Sequence, residues 1–366
     1  GRDLNEKVGA ITVKDAIAAL DKHDPTDIIV VISKPPAKEV RDEVVQLLQN
    51  VSKPVVAIFL GEKPDHHEGD VYLAHTLEET AQIAVDLANG REVKKNYCTS
   101  AVSPIDHVLS SEKTVKGLYS GGTLAAEAGM MISEALDLGG LIKEEGYILK
   151  TNGYEVIDLG DDIYTQGKPH PMIDPEVRIR KIREYAADKD TGVILLDCVL
   201  GYGCHPDMAG CLAPVIRESM DKAKAEGREL YFVASVCGTD KDPQDYRQSV
   251  ETLKASGAFV EESNAKAIRL ALKLKGLDCV EEDKAVVPYT GPKFEVPEVS
   301  EQILDLLNTK PRIINIGVES FNESIVKYNG KSVQFSWKPA AGGNKEMIRI
   351  IHELIKIKEI DEYNDQ

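Results

Sequence analysis

Three stretches of the sequence bring together residue types that can do chemistry. In the loop Gly160–Pro175, His170 stands between Pro169 and Pro171. The prolines fix the backbone around the ring, and a side chain that titrates near neutral pH suits proton transfer or transient phosphorylation. The loop is longer than packing needs, which favours function; the alternative is a loop histidine bonded to Asp174. In Asp197-Cys-Val-Leu-Gly-Tyr-Gly-Cys-His-Pro-Asp207, the acidic and imidazole groups follow an apolar run that reads as a buried strand. Open α/β sheets place ligands beyond such strand ends. Asp197 there can hold an imidazole, hold a Mg2+ shared with phosphate, or cap the next helix; His205 can donate to a developing oxyanion. Asp242 and Gln244 occupy the equivalent loop one strand along. The third stretch is Ser120-Gly121-Gly122-Thr123, between a short apolar lead-in and a helical pattern through Leu124, Ala128, Met131, Ala135 and Leu138. Two glycines let a backbone approach a ligand closely. A helix start capped by Ser120 or Thr123 presents N–H groups and a positive dipole end to an anion. An ordinary strand-to-helix turn has the same local appearance, and the stretch is neither a Walker loop nor a G-x-G-x-x-G fingerprint.

Charge narrows the substrate. The 366 residues carry a formal net charge of −17, which argues against nucleic acid or an anionic membrane surface as the main partner. A phosphorylated small molecule stays compatible if local N–H groups build its site. Hydrophobic content of 42% and charged content of 29% are those of a globular protein. No signal peptide or apolar run of spanning length is visible, so a cytoplasmic protein is expected. The six cysteines (Cys98, Cys198, Cys204, Cys211, Cys237, Cys279) form no C-x-x-C pair and no zinc spacing. Unpaired, mostly buried thiols and no metal site are expected. His66, His67 and His75 read as solvated loop or helix-start residues, and His23, His107 and His352 as surface.

The elements that must position these groups alternate between strand and helix, which means a parallel α/β sheet. A β-branched run at Ile28–Ile32 and another at Pro54–Leu60 flank a helix over about 39–49, and Thr76 with Glu79 has capping-box spacing before a further helix. After a polar stretch at 91–114, strands are expected near 115–119, 146–149, 154–159, 193–196 and 230–236. Helices are expected after Thr123 and over 176–187, 209–225, 246–256 and 264–275. The two stretches repeat each other: Gly1-Arg-Asp-Leu matches Gly160-Asp-Asp-Ile, Pro54–Leu60 matches Leu230–Val236, Gly61 matches Gly238, and the helix at Thr76 matches that at Asn264. The first copy lacks a counterpart of residues 117–159, so a truncated first module is expected, with an open sheet edge filled by a missing segment, a second copy or a partner subunit. The expected division is a module at 1–93, a linker at 94–114, a second module at 115–280, and a linker with a small C-terminal α/β subdomain at 281–366. Trp337, beside Pro339, is expected to be a core residue, with a partner-docking anchor as the alternative.

Ser120-Gly-Gly-Thr-Leu-Ala-Ala-Glu-Ala, Gly167-Lys-Pro-His-Pro-Met-Ile-Asp-Pro, Asp197 through Asp207, and Trp337-Lys-Pro-Ala-Ala-Gly-Gly-Asn together resemble the FdrA proteins. These are relatives of the succinyl-CoA synthetase (NDP-forming acyl-CoA ligase) superfamily, and the whole chain fits the later part of FdrA. The resemblance implies two flavodoxin-like, three-layer ligase modules, with a phosphoryl group facing the helix start at Ser120, Gly121, Gly122 and Thr123. It implies an acyl or carbamoyl phosphate substrate, CoA and nucleotide bound through segments outside this chain, and a partner subunit or homodimer. It also allows an oxamate carbamoyltransferase subunit of purine-nitrogen (allantoin) catabolism; a non-catalytic subunit that binds a phosphorylated metabolite is the alternative from another class. The superfamily carries a phosphohistidine in a Gly-His-Ala-Gly loop after a Lys-Pro-Val-Val strand. Here Lys53-Pro-Val-Val56 is followed by His66-His67 without the flanking glycines, and the second module has Asp240-Lys-Asp-Pro-Gln244. No phosphohistidine is therefore expected.

Overall fold

Runs of β-branched and aliphatic residues become the central strands, and the helical periods between them become the layers that cover those strands. The computed structural model describes residues 3–97, 102–141, 144–279, 282–293, 295–338 and 340–364. Gly1, Cys98 and Pro339 lie outside the described residues. The chain begins with α1 (Ile11–Lys22), β1 (Ile29–Ser33), α2 (Lys38–Leu48), β2 (Val55–Phe59), β3 (His66–Glu68), β4 (Val71–Leu73) and α3 (Leu77–Ala88). It continues through β5 (Thr114–Tyr119), α4 (Gly122–Ala135), β6 (Leu149–Thr151), β7 (Tyr154–Asp158), α5 (Asp162–Thr165) and α6 (Glu176–Ala187). Then come β8 (Thr191–Val199), α7 (Met208–Ala225), β9 (Tyr231–Cys237), α8 (Tyr246–Ala255), β10 (Phe259–Glu261) and α9 (Asn264–Leu274). β11 (Ala285–Val287) and α10 (Glu301–Asn308) follow, and β12 (Arg312–Ile316), α11 (Glu319–Lys327), β13 (Lys331–Phe335) and α12 (Lys345–Asn364) close the chain. Residues up to Asn308 form one compact unit and those from Thr309 another.

The protein is mixed α/β with parallel-dominated sheets. In the larger sheet the order is β10-β9-β8-β5-β7-β6. Leaving out β6, which pairs antiparallel at the edge, this is the 2-1-3-4-5 order of flavodoxin-like sheets. Every residue of β5 is buried, and all of β8 but its last, because helices cover both faces. Ile182, Leu212 and Leu253 from α6, α7 and α8 pack on one face. Met131 and Ile132 of α4 and Ile268 and Leu272 of α9 pack on the other.

The first sheet runs β1-β2-β4-β3-β11. β1, β2 and β4 are parallel neighbours, the same succession that β8, β9 and β10 show in the larger sheet. β1 is at the edge, with Val30 and Ile32 43% and 54% exposed. Counterparts of β5 and β7 are not present in this sheet among the described residues. Two strands come from unexpected places. β3 contains His66 and His67, expected in a solvated loop or at a helix start, and β11, from the segment read as linker, pairs in parallel with β3. Val296 of that segment packs against the first module's core.

Several side chains correct the expectations. His67 and His75 are buried rather than solvated, and Trp337 is 63% exposed rather than in the core. Among the described cysteines only Cys198 is fully buried, Cys237 being exposed.

Candidate functional site at the opening of helix α4

Strand order reverses between β5 and β8, and the crevice at that point receives ligands in open α/β sheets. β5 delivers Ser120-Gly121 there, and α4 starts at Gly122. β8 delivers Asp197, which is wholly buried. Its carboxylate accepts from Ser120 N–H (2.9 and 3.0 Å), Gly121 N–H (2.7 Å), Ser120 Oγ (3.1 Å) and Arg178 Nη2 (2.9 Å). Arg178 Nη2, fully buried on α6, also donates to the Asp197 carbonyl. Asp197 thus braces the turn and faces neither an imidazole nor the following helix. Its surroundings are N–H and O–H donors plus a guanidinium, an environment that repels a cation, so it does not fit the Mg2+ that was one of its three alternatives. Among the described residues no group of three His, Cys, Asp or Glu could hold a metal ion.

The expected cap is also corrected. Gly121 is the N-cap and no side chain caps α4; Ser120 is buried with its hydroxyl on Asp197. Asp197 takes the N–H groups of Ser120 and Gly121. The first-turn N–H groups of Gly122, Thr123 and Leu124 have no intrahelical acceptor, and the turn around them is half-exposed.

Glycine is required where side chains converge on this turn. A Cβ on Gly122 would lie 2.2 Å from Asp158 Oδ2 and 2.5 Å from Lys34 Nζ. One on Gly160 would lie 2.5 Å from His170 Nε2, 3.0 Å from the Ser120 carbonyl oxygen and 3.1 Å from Asp158 Oδ1. Asp158 ends β7, and Lys34, 46% exposed, follows β1 and reaches across from the first module to Asp158 at 3.7 Å. His170 Nδ1 accepts from Met172 N–H (3.2 Å), so the neutral ring carries its proton on Nε2, the atom nearest Gly160. Burial pushes the Asp158 carboxyl above its usual range; the Gly160 N–H and the Lys34 ammonium oppose that shift, while Asp161 and Asp197 add to it.

The remaining expected residues support loops. His205 N–H donates to the Met172 carbonyl (2.8 Å), seating the 200–207 loop on the His170 loop. Its ring, however, accepts from Asp207 N–H at Nδ1 (3.0 Å) and has Nε2 3.8 Å from Cys211 Sγ. Gln244 clamps Gly201 N–H and the carbonyls of Gly201 and His205. Asp242 accepts from Thr239 N–H (2.6 Å) within its own loop. The structure therefore brings Ser120, Gly121, Gly122, Thr123, Asp197 and His170 together, and uses the side chains of His205, Asp242 and Gln244 to hold neighbouring loops. Sequence reasoning missed Arg178, Asp158, Gly160 and Lys34. Arg178 shares an apolar helix face with Ile182 and Tyr185 by i, i+4, i+7 spacing, a signal that was available.

Residues 118–274 match the CoA-ligase family model. This segment is a CoA-ligase domain. It holds every residue of the site except Lys34. The Escherichia coli (strain K12) protein YahF, described as uncharacterized, is 36% identical over 283 residues, covering 74% of this chain and 55% of YahF. The chain thus spans about half the length of this curated relative. An apo structure of the dinucleotide-forming acetyl-coenzyme A synthetase 1 of Ca. Korarchaeum cryptofilum aligns over 72% of this chain and 56% of its own, with a TM-score of 0.30 and 10% identity. Likeness at that level carries no argument. No helix among the described residues is long and apolar enough to cross a membrane.

Proposed function

We propose that the chain is an FdrA-like subunit of the acyl-CoA synthetase (NDP-forming) superfamily that binds an acyl or carbamoyl phosphate with its phosphoryl group at the opening of α4. The observation that carries this reading is the braced turn. Asp197 and Arg178 fix Ser120-Gly121 from below, so the N–H groups of Gly122, Thr123 and Leu124 meet an anion without reorganising. The ammonium of Lys34 stands beside them and can exchange Asp158 for a phosphoryl oxygen. The Nε2–H of the neutral His170 ring can donate a hydrogen bond to the oxygen that leaves the acyl or carbamoyl carbon, stabilising its developing charge while the proton stays on the ring. Transfer to CoA, or to oxamate in a carbamoyltransferase, would use parts of the assembly beyond these residues.

A second reading, a phosphometabolite-binding scaffold, is favoured by one specific feature. His67 is buried with Nδ1 accepting from Leu73 N–H, and His66, paired with Asp65 through Nδ1, lies on β3, so neither stands in a glycine-flanked loop.

Calorimetric titration with acetyl phosphate and carbamoyl phosphate separates a site from none. Gly122→Val should abolish binding, and unchanged affinity would remove the anion site from consideration. Turnover with partner subunits separates the two readings, comparing CoA plus nucleotide with carbamoyl phosphate plus oxamate. Intact mass after incubation with nucleotide should show no added phosphoryl group; its appearance would return the phosphohistidine cycle.

A further inference from the structure

A second polar site lies toward the other end of α4, roughly 18 Å along the helix from Gly122 at 1.5 Å per residue. A cavity of ≈ 240 Å³ is lined by Lys63, Pro64, Asp65, His75, Glu282 and Lys284. His75 is 4% exposed, and its Nε2 lies 2.9 Å from Glu134 Oε1. The carboxylate fixes the proton on Nε2, so Nδ1 presents a bare lone pair. That buried Nδ1 has no protein partner among the described residues. A buried acceptor left unsatisfied costs about 1–3 kcal/mol, so a donor from outside the protein gains that amount by filling it.

The charges around the cavity say what the donor is. Lys284 is buried and spends its ammonium on both oxygens of Glu79 at 2.6 Å. Lys63 faces Glu134 at 3.9 Å. Both lysines therefore have a carboxylate beside them, Asp65 gives one oxygen to His66 Nδ1 (2.5 Å), and the lining's acceptors are the other Asp65 oxygen, Glu282 and the His75 lone pair. An anion would have to compete with Glu134 and Glu79 for the two ammonium groups. A cation with N–H groups can satisfy His75 and two carboxylates at once.

We propose that this cavity binds the ammonium group of a small primary amine, with His75 Nδ1 as the buried acceptor and Asp65 and Glu282 as counter-charges. The site does not depend on the phosphoryl reading of the α4 opening, and either can fail alone.

Methylammonium chloride titrated into the full chain tests it, read by calorimetry and by the ring 15N resonances of His75. One saturable site is expected, with the Nδ1 resonance moving as an acceptor's does. Tetramethylammonium, a cation without N–H, should not bind. Glu282 is exposed, so Glu282→Gln is not expected to disturb folding and should weaken methylammonium by about tenfold, as loss of a charge-assisted bond does; His75→Phe should abolish binding. No saturable methylammonium binding, binding unaffected by both substitutions, or a His75 resonance that responds instead to acetate or inorganic phosphate would overturn the proposal.

Discussion

A carboxylate that accepts from two backbone N–H groups, a hydroxyl and a guanidinium while seeing no water, as Asp197 does, is held by everything around it. Removing one partner strands the other in a medium that solvates it poorly. Arg178→Met should therefore destabilise the protein by about 3–5 kcal/mol, measured by urea unfolding. The double variant Arg178→Met with Asp197→Asn should cost less than the sum of the single changes; strict additivity would show that the pair is not coupled. His67 gives a pH dependence of known sign. Burial, and then the nearby Lys284 ammonium, pull its imidazole down to about 4. The unfolded chain, titrating at the ordinary value of about 6.5, binds the proton more readily than the folded one. Stability from this group is thus complete above about 6.5 and falls as pH drops toward 4, by on the order of 3 kcal/mol. His67→Phe keeps the edge contact with Tyr72 and should flatten that part of a melting-temperature profile. A profile identical to that of the unsubstituted protein would show that another group is responsible.

At the scale of elements, α4 is a helix whose glycines work against helical propensity and in favour of approach. Gly129 lies mid-helix, where glycine costs about 1 kcal/mol relative to alanine, yet an added Cβ would come within 2.7 Å of Ile148 Cγ2. Gly129→Ala should therefore destabilise by about 1–3 kcal/mol through overpacking; a rise in the unfolding midpoint would mean that Ile148 yields. The long elements were legible because their patterns are long. β8 and β9 read as near-continuous apolar runs because both faces are covered, and the caps at Thr76 and the period of α4 were visible in the residues themselves. Three-residue strands carry no period. His66–Glu68 is polar and becomes β3 only because β4 and β11 lie on either side. The same holds for the site. The glycine turn, Asp197 and His170 announced themselves locally. The Lys34–Asp158 and Arg178–Asp197 contacts join residues far apart in the chain, and nothing in the sequence of either partner names the other. His75 was read as solvated for the same reason, since Glu134 and the residues around Lys284 that bury it lie on distant segments.

At the scale of the whole molecule, α4 belongs to two cores. Met131 and Ile132 pack under the larger sheet, while Ala126 joins Val56, Ile58 and Leu60 beneath the first. Polar ties cross at the same place. The buried Glu127 accepts from Leu77 N–H of α3 and from Asn264 Nδ2 of α9, both at 2.7 Å, and Arg269 pairs with Glu78 at 2.7 Å. Such sharing means that neither module can unfold without exposing part of the other, so residues up to Asn308 should unfold as one cooperative body. The unit from Thr309 is built differently. Its strands β12 and β13 alternate between half-exposed and exposed residues, and Ile314, Val333 and Phe335 are among its exposed apolar side chains. Native-state hydrogen exchange in Ala126→Leu tests the arrangement. Extra volume at this buried position should cost about 1–3 kcal/mol and raise the slowest exchange rates in β2 and in β8 by the same factor, on the order of tenfold or more. The rates in β12 and β13 should not change. Acceleration confined to β2 would show that the first module opens by itself and that α4 does not carry the coupling between the two cores.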